Sequence, residues 1–287
     1  GAGSRASGGR GAVLRARVAT AVLLGSLLMG TVWLAPTGAL ALLLAGLAGI
    51  AAWEWTALMG VQVPAARAAL VAGFLATLVP AWGVLVASPA SVQVGLYLVA
   101  ALWLGVLGWL GRLARGEAAA PSAAGAAVIG WLVLAPTWLA VVYLHGQAPW
   151  GAFWVTLLFA LVWGADSGAY FAGRAWGRHR LAPRISPGKS WEGVLGGGAA
   201  ALLAGGALVG LLGPATPAPL FLTGLMVAVV AGSVVGDLLE SALKRQRSIK
   251  DSGGILPGHG GVLDRIDSLT AAAPIMAAGV AWWQSGT

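Results

Sequence analysis

Asp237, Glu240, Ser241 and Lys244 stand at i, i+3, i+4 and i+7 in the segment GDLLESALKR, a spacing that puts all four on one face of a helix. The stretch Lys250 to Asp267, KDSGGILPGHGGVLDRID, then gathers three aspartates (Asp251, Asp264, Asp267), a lysine, an arginine, a histidine and five glycines into 18 residues. Oxygen ligands without cysteine, and with histidine sparse, suit a hard cation such as Mg2+, which binds one or two carboxylates plus substrate phosphates. Gly253, Gly254, Gly258, Gly260 and Gly261 allow close backbone approach and positive φ angles, from which amides face an anion. Lys244, Arg245, Arg247, Lys250 and Arg265 supply charge that neutralises phosphates. Carboxylates, glycines and cations together describe metal-assisted phosphoryl or nucleotidyl transfer, in which positioning and charge neutralisation dominate catalysis. The plainer reading of each part is a solvated helix end, a pair of N-terminal carboxylates on a helix dipole, or a loop whose charge sets topology.

A second basic cluster lies upstream. Residues 173 to 193, GRAWGRHRLAPRISPGKSWEG, carry Arg174, Arg178, Arg180, Arg184 and Lys189, with Ser186, Pro187 and Ser190 shaping a turn. Alone this is a juxtamembrane loop attracted to anionic lipid; beside a metal site it becomes a polyphosphate clamp. Asp166, in VWGADSGAYFAGR, shares a helix face with Tyr170 and Arg174. An ionisable group in an apolar helix costs at least a few kcal/mol, so Asp166 is read as lining the site. Glu54, between Trp53 and Trp55, is read either as an interfacial residue in an aromatic belt or as the structural partner of a basic residue, and not as catalytic.

The elements that must position these residues are membrane helices. Hydrophobic residues make up 59% and charged residues 9% of the 287, and mean hydropathy is +0.85, far from the roughly 25% charged of soluble domains. Windows of about 20 apolar residues, enough to cross about 30 Å of hydrocarbon, select nine segments, near 18–35, 38–59, 68–86, 92–111, 123–144, 149–171, 193–212, 219–240 and 267–284. The short alternating segments of a membrane β-barrel do not occur. The fold class expected is therefore all-α, a polytopic bundle of about nine transmembrane helices.

With the N-terminus cytoplasmic, all 17 Lys and Arg fall in the N-terminal arm or in internal connections, and the opposite connections hold none. That asymmetry orients the chain by the positive-inside rule. The net charge of +8 accordingly reads as an orientation signal and an attraction to membrane lipids; a nucleic-acid surface has no soluble domain to carry it. Residues 1–12 are expected to form a mobile arm, 13–145 an N-terminal group of helices, and 146–287 a catalytic region with cytoplasmic loops 173–192 and 241–266. The first apolar segment imitates a signal peptide, but the second span follows at once and a retained helix is expected.

The stretch SALKRQRSIKDSGGILPGHGGVLDRID, Ser241 to Asp267, resembles the signature of the phosphatidate cytidylyltransferases, or CDP-diacylglycerol synthases. The matching positions are Ser241, Lys244, Arg245, Lys250, Asp251, Gly253, Pro257, His259, Gly260, Gly261, Asp264, Arg265 and Asp267. Asp166 to Gly193 and GDLLES also resemble the family, whereas the N-terminal half agrees in hydropathy, in RARVATA and in WEW. His179 stands where Lys is expected, and Gly188 and Ser190 stand in a turn that is commonly more basic.

The resemblance implies transfer of CMP from CTP to phosphatidic acid, giving CDP-diacylglycerol and pyrophosphate, at the cytoplasmic face of a bacterial inner membrane. It implies metal, Mg2+ with room for a second cation, at Asp237 and Asp264. Lys244, Arg245, Lys250, Asp251, Arg265 and Asp267 complete the catalytic set. Asp166, Ser167, Arg174, Lys189, Ser190, Ser241, Gly258, His259, Gly260 and Gly261 bind substrate. Homodimerisation is compatible with such a bundle, though no residue carries it. Two rivals stay open: a CTP-dependent transferase acting on another lipid phosphate or a polyprenyl alcohol, and a secondary transporter. The latter normally shows midplane sites and repeat symmetry, and neither is visible.

Overall fold

The computed structural model describes residues 22–119, 121–213, 218–255 and 260–286. Ten helices and one small hairpin follow in order among them: α1 (Val22–Leu34), α2 (Thr37–Leu58), α3 (Pro64–Ala87), α4 (Pro89–Arg115), α5 (Ala123–His145), α6 (Gly151–Trp176), β1 (Arg180–Ala182), β2 (Ser186–Ser190), α7 (Trp191–Leu212), α8 (Pro219–Gln246), α9 (Leu263–Ile266) and α10 (Leu269–Ser285). Each of the nine apolar segments contains a helix. Seven, α2 to α8, are long and apolar enough to cross a membrane. The chain is a polytopic helical membrane protein.

Local chemistry sets many helix ends. Proline opens α3, α4 and α8, where its fixed φ fits the first turn and no amide is lost. Ser122 caps α5 and Ser190 caps α7, each hydroxyl accepting the amide three residues on. Gly116, at φ 82°, closes α4 in the left-handed region. The helix α10 runs through the core, where Ala271, Ala272, Ala273, Met276, Ala277 and Ala281 are fully buried. Large side chains on the outer helices, such as Leu203 and Leu211 of α7 and Leu104 of α4, stay exposed, as a lipid-facing surface requires.

Between α6 and α7 a seam of small residues lets two backbones meet. A Cβ at Gly168 would lie 2.6 Å from the Ala200 side chain and 2.8 Å from the Gly196 carbonyl oxygen. Only a residue without a side chain fits so close a crossing. That seam brings the start of α7, and the hairpin before it, onto the end of α6.

Contacts group the connections as the charge asymmetry expects. At one end Arg247 donates to the Leu58 and Met59 carbonyls, Arg245 to the Ile185 carbonyl, and Arg67 to the Trp53 carbonyl. At the other, His145 bridges Thr37 and the Val32 carbonyl.

Two expectations are corrected. The loop 173–192 is not simply a turn: α6 continues to Trp176, and β1 and β2 pair antiparallel with Arg180 opposite Ser190. His179 closes this hairpin, its carbonyl accepting the Trp191 amide and its ring pairing with Glu192 at 2.6 Å. Likewise, residues 241–246 are the last turns of α8 and not loop. Helical hydrogen bonding continues there because Ser241 and Lys244 find partners one turn back.

Candidate active site

Five parts of the chain surround one polar cavity of about 370 Å³, α7 lining it with Gly193, Val194, Gly197 and Gly198. Helix α6 contributes Asp166, Tyr170 and Gly173, at the i, i+4, i+7 spacing of one face. Helix α8 contributes Val230, Ser233 and Asp237, again one face. Strand β2 brings Gly188, Lys189 and Ser190 across the top of α7, and the short α9 with the turn after it supplies Asp264, Arg265, Asp267 and Ser268.

The expected polar face of α8 carries two i, i+4 pairings. Ser241 donates to Asp237 Oδ1 at 3.2 Å, and Lys244 donates to Glu240 Oε2 at 2.7 Å. Lys244 also donates to Asp264 Oδ1 at 2.7 Å, so one largely buried ammonium ties α8 to α9. Lys189 approaches Asp237 Oδ2 at 2.5 Å. The buried Ser268 hydroxyl donates to Asp166 Oδ1 at 3.4 Å, linking α6 to the same turn.

Asp264 is the most heavily bonded of these carboxylates. Besides Lys244, it accepts the Ser252 amide at 3.1 Å and the Gly261 amide at 2.8 Å. Burial pushes its carboxyl up, but Lys244 and the two amides outweigh burial and hold it below the ordinary carboxylate range. Gly260, at φ 80°, makes this loop possible, since a Cβ there would lie 2.9 Å from Asp264 Oδ2.

Other expected site residues are placed differently. Arg245 is exposed and holds the hairpin through the Ile185 carbonyl, away from the cavity lining. Lys250 and Asp251 are exposed on the loop after α8. Ser167 is exposed one residue past Asp166 and does not line the cavity, while Arg174 reaches it only through Tyr170, whose hydroxyl it approaches at 3.2 Å. Gly258 and His259 lie outside the described residues.

Two buried groups went unassigned in the site read from sequence. Ser268 is 3% exposed and sits beside Asp267 in a run that reads as an ordinary helix start. Glu54, 2% exposed, has no basic partner within ion-pair distance among the described residues and instead accepts the Val262 and Leu263 amides.

Four carboxylates line the cavity, Asp166, Asp237, Asp264 and Asp267, against two cations, Lys189 and Arg265. Such an excess in a partly dry site attracts positive charge. Among the described residues no group of three or more His, Asp or Glu side chains is arranged as a metal cage. The donor set instead suits a hard cation held by two carboxylates and completed by phosphate oxygens. The residues present therefore fit Mg2+ bound together with its substrate.

Comparison with known proteins gives the family of the chain. Residues 15–283 match the cytidylyltransferase family. A phosphatidate cytidylyltransferase of Pseudomonas aeruginosa is 41% identical over 273 residues, covering 93% of this chain and 96% of that protein. One from Brucella suis is 38% identical over 265 residues, 92% of each chain. One from Haemophilus influenzae is 54% identical over 127 residues, 43% of this chain and 44% of that protein. With a match over nearly its whole length and relatives of equal span, the chain belongs to the cytidylyltransferase family.

Proposed function

We propose that this chain transfers CMP from CTP to phosphatidic acid, forming CDP-diacylglycerol and pyrophosphate for phospholipid synthesis. The observation that carries this reading is the single cavity in which Asp166, Lys189, Asp237 and the Asp264 to Ser268 turn face one another. The relatives named phosphatidate cytidylyltransferase, similar over nine-tenths of the chain, support the choice of substrates.

In the reaction a phosphatidate oxygen attacks the α-phosphorus of CTP. The new P–O bond forms as the bond to the bridging oxygen of the β-phosphate breaks, and the electron pair leaves with pyrophosphate. A phosphate nucleophile is already ionised near neutral pH, so no side chain need act as a strong base. Asp237 and Asp264 would hold Mg2+, which when bound neutralises charge on the phosphate oxygens. Lys189 turns from Asp237 to the nucleotide phosphates, and Arg265 offsets charge as it develops. Lys244, fixed between Glu240 and Asp264, orients Asp264.

The lipid has a matching place. An apolar cavity of about 580 Å³, lined from α1, α2, α5 and α6, is bounded by Val262, Ile266 and Leu269 on the other face of the α9 turn. Arg265 borders both cavities. This suits an amphiphile whose phosphate meets Arg265 while its acyl chains pass to the apolar side. The positive-inside rule and the solubility of CTP support a cytoplasmic active site at a bacterial inner membrane.

A panel of acceptors tests the substrate assignment. Purified protein with labelled CTP and Mg2+ is expected to label phosphatidate, and not a polyprenyl phosphate or polyprenyl alcohol. Preferential labelling of either of the latter would reassign the acceptor.

A further inference from the structure

Glu54 is a buried carboxylate that the chemistry above leaves unused. It stands one turn before the end of α2, 2% exposed, with Oε1 accepting the Val262 amide at 3.2 Å and Oε2 accepting the Leu263 amide at 2.7 Å. The Ser252 hydroxyl donates to Oε2 at 3.4 Å. No Lys or Arg lies within ion-pair distance of it among the described residues, so these donors carry the stabilisation of its charge.

The partners converge on Asp264. Val262 and Leu263 are the two residues before it, and Ser252 donates its amide to Asp264 while its hydroxyl goes to Glu54. Gly261, whose amide also binds Asp264, lies against Glu54 so closely that a Cβ there would be 2.6 Å from Oε2. Gly253 meets the same carboxylate, and a side chain there would collide with it. Glu54 thus grips the polar segment on both sides of residues 256–259 at the points where it also grips Asp264.

Helix α2 is itself held. Arg247 donates to the Leu58 and Met59 carbonyls at 2.8 and 2.6 Å, and Arg67 to the Trp53 carbonyl and the Thr56 hydroxyl at 2.7 and 2.6 Å. Cations on C-terminal carbonyls satisfy the unpaired acceptors of a helix end. The N-terminal half of the chain therefore offers a rigid post, with Glu54 as its point of attachment to the site.

We infer that Glu54 is a positioning residue for CMP transfer: its carboxylate holds Ser252, Val262 and Leu263, and through them the aim of Asp264. The inference rests on Asp264 belonging to the catalytic site. A glutamine has the same shape but sets an NH2 group against amide donors, so one grip is lost while volume is kept.

The test uses the full chain, purified in detergent, as Glu54→Gln, Glu54→Asp and Ser252→Ala. Supporting partners of this kind typically cost roughly 10-fold to 100-fold in activity when removed. Glu54→Gln is expected to lower kcat and kcat/KM together within that range, with KM for CTP unchanged. Amide exchange at Val262 and Leu263 should rise while that of α5 and α10 stays constant. Glu54→Asp should recover part of kcat, and Ser252→Ala should lose less than Glu54→Gln. Wild-type kcat in Glu54→Gln, or exchange rising across the whole bundle in step with lost activity, overturns the positioning role. If Glu54→Gln does not fold, wild-type kcat in both Glu54→Asp and Ser252→Ala overturns it equally. Failure of the unmodified protein to transfer CMP counts against the reaction, whereas the exchange pattern reports on the clamp regardless.

Discussion

The Lys189 ammonium on strand β2 lies 2.5 Å from the Asp237 carboxylate on α8. This ion pair closes the hairpin over the cavity and neutralises a carboxylate that the proposed reaction needs for a cation. The same ammonium is the nearest candidate for a nucleotide phosphate, so substrate and Asp237 compete for it.

Loss of that ammonium should therefore be felt mainly through the nucleotide. Lys189→Met is expected to lower kcat/KM for CTP by roughly 10²-fold, the scale of removing one donor from developing charge. Lys189→Arg keeps the charge but not the compact shape and should fall between. Steady-state rates at varied CTP check this, and an unchanged kcat/KM in Lys189→Met would remove Lys189 from the site.

Asp237 and Asp264 are the two carboxylates assigned to a cation. Asp237→Asn and Asp264→Asn should each abolish CMP transfer at millimolar Mg2+ in folded protein, and chelation should abolish it in the unmodified enzyme and be reversed by added Mg2+. Folding is monitored by thermal unfolding, because Asp264 also ties Lys244 to the α9 turn. Near-normal turnover in either variant contradicts its assignment.

Arg265 borders both the polar and the apolar cavity, which predicts an effect on the lipid more than on the nucleotide. Arg265→Gln should raise KM for phosphatidate, measured in mixed micelles by surface dilution, by more than it raises KM for CTP. A larger effect on CTP would place the lipid phosphate elsewhere.

The α6 and α7 seam makes a stability prediction separate from catalysis. Gly168→Ala must accommodate a Cβ 2.6 Å from the Ala200 side chain, and overpacking of this kind costs about 1–3 kcal/mol. Gly206 on α7 faces open space, so Gly206→Ala should be neutral or stabilising by up to about 1 kcal/mol. Thermal unfolding of the two variants in one detergent should separate them, with Gly168→Ala melting lower.

Hydropathy and charge asymmetry made the helices legible, because lipid demands long apolar runs and leaves few places for Lys and Arg. Helical spacing made Asp237, Glu240, Ser241 and Lys244 legible as one face, since residues three and four apart meet whatever surrounds them. The hairpin was less visible: β1 spans only Arg180–Ala182, and it is held by Arg245 on the Ile185 carbonyl and by Trp191 on His179, contacts no local pattern reports. Arg245, Lys250 and Asp251 share the run with Asp264, yet the backbone turns them away from the cavity. Glu54 was opaque for a related reason. Its partners are backbone amides of residues 262 and 263, and an amide has no letter in the sequence.

The central claim is that this cavity moves CMP, and not a terminal phosphate, from CTP to phosphatidate. The most direct measurement is the fate of label when purified protein receives phosphatidate, Mg2+ and CTP labelled at either the α- or the γ-phosphorus. Label at the α position is expected in the lipid product and label at the γ position in pyrophosphate, with both transfers lost in folded Asp237→Asn. Lipid carrying the γ label, or no labelled lipid at all, would contradict the account.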